Sequence, residues 1–323
     1  MSLLDDRSAG RATVAATAAA GLVGAGFAAT RLLRAAVAGP PSAATGEVAL
    51  LTAWLSTVFL YTPFLSALLL VADAPTRRRV ALAGGLVYAF DLAVVAADAL
   101  RYGATAGVAP TLLALPLARV ATVLGVATAA WLAYHGGYER VAAAADGAPT
   151  HPLFAVVADE PLGPGLTLRR GVVSAGLGAA VAVGGRTAVG VALDLLGAVG
   201  GSAPAGAASF AARSRNTVVP PADLPVAWLA TAVLLSAVLL VAGPRLRARD
   251  AATGAAVVFA GQAAVVLAAT LLAPARPLSL VDPGGPLLAP LGDVVLFLGI
   301  AAGLATWSRD RDGTPRSVLP SRA

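Results

Sequence analysis

The sequence predicts an all-α fold: a polytopic integral membrane helix bundle of about eight transmembrane helices, with the N-terminus and C-terminus both cytoplasmic. Three observations predict it. Hydrophobic residues make up 58% of the chain and charged residues only 12%, with a mean hydropathy of +0.81, whereas soluble domains carry about 25% charged residues. The apolar residues gather into eight stretches near the length of roughly 20 residues that crosses a hydrocarbon core. The arginines lie between those stretches, unevenly on alternate sides.

The spans fall near 12–30, 49–71, 80–98, 109–134, 171–193, 225–242, 253–272 and 287–307. The second, sixth and seventh are plain apolar runs. The first is mainly alanine and glycine; Asp5 and Asp6 dilute the positive start that a signal peptide needs, so a retained helix is expected. The fifth runs on past Arg186 towards Gly200, as one long tilted helix or as a helix followed by a re-entrant piece. The spans form a single transmembrane domain over 1–307, followed by a disordered cytoplasmic tail, 308–323, with alternating charges and chain breakers. Two connections are long. Residues 135–170 hold both histidines, a helix-like VAAAAD and an apolar HPLFAVV suited to a membrane surface; residues 201–224 are rich in Ala, Ser and Pro.

Every one of the 23 basic residues is arginine. With the N-terminus inside, 15 arginines fall on the cytoplasmic side and six outside, as the positive-inside rule requires. The plasma membrane is the expected location, and the lipid bilayer the first partner. No basic domain exists to bind nucleic acid. Trp54, Trp131, Trp228 and Trp307 fall near span ends, at headgroup depth.

Ionisable groups inside a span are costly and need a partner, a wet cavity or a task. The candidates for a substrate or ion pathway are Asp91, Arg119, Arg186 and Asp293, with Gln262 as a milder case. At about 1.5 Å per residue, Asp91 and Arg119 both lie near the midplane, on helices that follow one another in the chain. They are expected to pair, either as a coupling site or as a structural lock on helix register. Arg186 and Asp293 share a depth nearer the outer face and form a second candidate pair. Asp98 and Asp194 fall at or near the outer interface. Gly176, Ala180 and Gly184 recur every four residues, a small-residue face suited to close helix packing. Pro63 and Pro116 are candidate kinks or breaks.

Other chemistry lacks its residues. There is no cysteine, and two histidines sixteen residues apart carry no metal-binding spacing. Absence of lysine excludes a retinal Schiff base and a Walker A site. An intramembrane aspartyl protease would need Tyr-Asp and Gly-x-Gly-Asp. Tyr88 stands three residues before Asp91, and only Gly292 precedes Asp293. No catalytic constellation, metal site or cofactor is therefore expected, and the protein is read as not an enzyme. The expected function is permease-like or transporter-like, with an unassigned substrate. The alternative is a non-catalytic membrane subunit or scaffold of a larger complex, joined to partner membrane subunits or a separate ATPase. A lipid-modifying membrane enzyme is the weaker alternative.

Overall fold

The computed structural model describes residues 6–38, 46–73, 75–101, 109–145, 161–163, 166–200, 218–241, 248–272 and 285–307. Nearly all of them are helical. The order is α1 (Asp6–Ala38), α2 (Glu47–Asp73), α3 (Arg77–Arg101), α4 (Ala109–Tyr134), the short α5 (Gly137–Ala145), strands β1 (Pro161–Gly163) and β2 (Leu166–Thr167), α6 (Leu168–Gly200), a 3-10 turn (Pro221–Asp223), α7 (Leu224–Val241), α8 (Ala248–Leu272) and α9 (Gly285–Trp307). Eight of these helices are long and apolar enough to cross a membrane. The fifth span is one continuous helix through Gly200. Helices α2 and α4 run on through Pro63 and Pro116, so neither proline breaks its helix.

The chain forms two compact units, one of residues 1–73 and 233–323, the other of residues 74–232. In the first unit α1 packs against α2 and α9, and α8 against α9. The alanine-rich first span has a clear packing purpose. Ala12, Ala15, Ala16, Ala19, Ala20 and Val23 are all buried, at the three-and-four spacing that lines one helix face. Because those side chains are small, α1 approaches its neighbours closely, a geometry that dispersion rewards when no hydrophobic drive separates helix from lipid. Gly303 meets Ala19, while Gly299 and Gly26 lie directly against Val23 and Val295. The Trp54 ring covers Gly24, and its indole N–H donates to the carbonyl of Gly21 at 3.0 Å. Ala237, Val258, Phe297 and Ala301 form the seam of α7, α8 and α9.

In the second unit α4 packs against both α3 and α6. The α4–α6 seam is built from glycine and alanine. A side chain added at Gly178 would stand 2.6 Å from the Ala129 methyl and 2.7 Å from the Gly125 carbonyl oxygen; one added at Gly185 would stand 2.5 Å from the Ala121 methyl. This corrects the expected small-residue face. Gly184 has open space around it and Ala180 is exposed. Gly176 instead seats Trp228, whose indole N–H donates to the Gly176 carbonyl at 2.9 Å. The close face is Gly178, Ala182 and Gly185, turned from the expected one by part of a helical turn.

After α4 the chain reverses at Gly136, whose φ of +75° is the left-handed conformation favoured at helix ends. Gly137 then lies beneath the Trp131 ring, leaving no room for a side chain. Helix α5 covers most of the VAAAAD segment. The pairing of β1 with β2 is antiparallel and delivers Thr167 to the start of α6. His151, the HPLFAVV segment, residues 201–217 and the tail 308–323 lie outside the described residues.

Candidate functional site

Helix α3 sets the depth of Asp91: about 21 Å of helix precede it and about 15 Å follow, at 1.5 Å per residue. Its carboxylate is buried, with 6% side-chain exposure, and its Oδ1 lies 3.3 Å from Nε of Arg119 on α4. Arg119 is 32% exposed. The structure thus brings together the two charges that the sequence placed at equal depth. Three contacts fix the register between their helices: Gly84 against Val120, Val95 against Leu115, and a hydrogen bond from the Tyr88 hydroxyl to the Leu113 carbonyl at 3.2 Å.

Arg186 joins this centre from α6. It lies within electrostatic range of Arg119, so two guanidinium groups and one carboxylate share the middle of the second unit. Beside it, the Thr187 hydroxyl is buried without a hydrogen-bond partner. Gln262 and Asp293 belong to the first unit. Gln262 is buried one turn beyond Val258 on α8, and Asp293 is half-buried one turn before Phe297 on α9. The side chain of Asp98 lies outside the described residues.

A second charged centre has no signature in the hydropathy pattern. Arg170 reads by position as a loop arginine, yet it lies in the first turn of α6 with only 8% of its side chain exposed. Its Nη1 donates to Glu139 Oε1 at 2.7 Å, and its Nη2 donates to Glu139 Oε2 at 3.5 Å and to the Leu132 carbonyl at 3.3 Å. The Tyr138 ring centroid is 5.8 Å from the guanidinium carbon, within the reach of a cation–π contact. One side chain therefore ties together α4, α5 and α6. The two partners stand 31 residues apart, and no periodicity links them. The one available signal was local: Thr167 caps α6 by accepting a hydrogen bond from the Arg170 N–H at 3.2 Å, and a Thr-x-x-Arg start puts a cation where a helix prefers an anion.

Most other hydroxyls in the spans are turned inward on their own helices. Thr17, Thr30, Thr52, Thr57, Thr62, Ser66, Thr122, Thr128, Thr253 and Thr306 each donate to the carbonyl four residues back. This is how a hydroxyl is satisfied in an apolar setting. Among the described residues no group of three His, Asp or Glu side chains is placed to hold a metal ion. No protein-family model, curated protein or solved structure matches the chain.

Proposed function

We propose that the chain is a permease-like protein of the plasma membrane, threaded eight times with both ends in the cytoplasm, whose charge-bearing centre is Asp91 with Arg119. The observation that carries this reading is the buried carboxylate at the middle of an apolar helix, ion-paired with Arg119 and with the guanidinium of Arg186 close to that pair. Ionised, Asp91 offsets the charge of Arg119. Neutralised by a proton, it releases Arg119 into the repulsive field of Arg186, so the carboxyl's charge state is coupled to the packing of three helices. A charge state coupled to helix packing is what a coupled carrier needs. The hydroxyls bonded to their own helices leave few donors for a large hydrophilic substrate, which favours a small ion or proton as the coupled species.

The same observation gives a second reading its support: a non-catalytic subunit or scaffold, in which the pair only locks α3 to α4. Flux separates the two. Asp91→Asn, Arg119→Leu and the double variant are reconstituted in liposomes, and proton movement is followed with an entrapped pH-sensitive dye. Loss of pH-driven flux in a well-folded Asp91→Asn protein supports the carrier. Single variants that lose yield while the double variant recovers it, with no flux in the wild type, support the lock.

A further inference from the structure

In the second unit α3 and α6 both run antiparallel to α4. Val95 meets Leu115 while Gly84 meets Val120, and Gly185 meets Ala121 while Arg170 reaches Leu132. The first turns of α3 and α6 and the last turn of α4 therefore share one end. That end carries Arg77, Arg78, Arg79, Arg140, Arg169 and Arg170. Among the described residues Glu139 is the one carboxylate there, and it is bound to Arg170.

Five of these arginines occupy the first turns of two helices, where the aligned peptide dipoles already place positive charge and disfavour cations. Both starts are built alike. Thr76 caps α3 by accepting from the Arg79 N–H at 3.3 Å, as Thr167 caps α6. Arg77, Arg78 and Arg140 are exposed, and Arg169 carries a buried Nε that no protein group accepts. Trp131 and Tyr138 lie at the same level, as aromatic residues do at a membrane–water interface. Cations set against helix dipoles give this end a positive field that attracts an external anion.

We propose that this face binds the phosphate headgroups of anionic phospholipid in the cytoplasmic leaflet. Lipid is favoured over free phosphate because three apolar helices begin or end here, which holds the arginines at headgroup depth. The proposal rests on the bilayer-crossing reading above.

The test uses the full-length protein in neutral detergent. Equal amounts of phosphatidylglycerol and phosphatidylcholine are added, and retained lipid is counted by native mass spectrometry. The wild type is expected to retain phosphatidylglycerol several-fold over phosphatidylcholine. Arg77→Gln/Arg78→Gln/Arg169→Gln should bring that preference close to parity, whereas Arg11→Gln/Arg249→Gln in the first unit should keep it. The single variant Arg140→Gln, at an exposed site, should lower it in part and serves if the triple variant fails to fold. Equal retention of the two lipids by the wild type overturns the proposal, as does a triple variant that keeps the preference. Displacement of phosphatidylglycerol by millimolar inorganic phosphate would reassign the face to free phosphate. Labelling of Arg78→Cys from outside would defeat the threading and the leaflet assignment while leaving the lipid preference intact, so the two failures are distinguishable.

Discussion

Removing the charge of Glu139 should destabilise the protein through Arg170. Glu139→Gln preserves shape but leaves a guanidinium of 8% exposure with the Leu132 carbonyl and the Tyr138 ring as its described partners. A hydrogen bond to a charged group contributes about 1.5–3 kcal/mol, and removing one partner of a fully buried pair costs about 3–5 kcal/mol. The carboxylate is 49% exposed, so water restores part of the loss, and about 2 kcal/mol is expected. At roughly 2–4 °C per kcal/mol this lowers the melting temperature by about 4–8 °C. Arg170→Met should cost a similar amount, because it removes the bonds to Glu139 and Leu132 together. The double variant should be less damaged than the sum of the singles, by about 1–2 kcal/mol. The assay is thermal unfolding in detergent, followed by size-exclusion chromatography with tryptophan fluorescence. Singles that add to within about 0.5 kcal/mol would show that the contact carries no coupling energy.

Two packing predictions accompany it. Gly178→Val should lose about 1–3 kcal/mol or fail to assemble, because even its Cβ has no room against Ala129 and Gly125, while Gly184→Val should unfold like the wild type; equal melting temperatures would contradict the assigned α4–α6 seam. Trp54→Phe should cost about 1 kcal/mol through loss of the hydrogen bond to Gly21, and Trp228→Phe about the same through Gly176; thermal melts of the two variants check this.

The eight helices were legible because a bilayer demands long apolar runs, and composition alone displays them. The Asp91–Arg119 pair was legible because consecutive helices joined by a short connection pack together, and depth along each can be counted. Other features need the rotation of one helix against another. Spacing identified small residues on α6, but Gly178 and Gly185, not Gly176 and Gly184, face α4. Arg170 escaped because helix α6 begins before its apolar stretch, at Leu168, so an arginine that reads as a loop residue is buried in the first turn. The same extension places Arg31 within α1 and Arg77, Arg78 and Arg79 within α3. Trp54 and Trp228 read from their positions as interfacial anchors; the bonds that they donate to glycine carbonyls depend on neighbouring helices and have no sequence signature.

The depth of Asp91 and the leaflet that meets the arginine face both follow from the threading, and cysteine accessibility measures it directly. The native chain contains no cysteine, so Arg78→Cys and Ala222→Cys each introduce a single reporter. In intact cells a membrane-impermeant maleimide should modify position 222 and leave position 78 unlabelled until the membrane is opened. Labelling of position 78 in intact cells, with position 222 protected, would contradict the orientation; labelling of both positions from the same side would contradict the odd number of crossings between them.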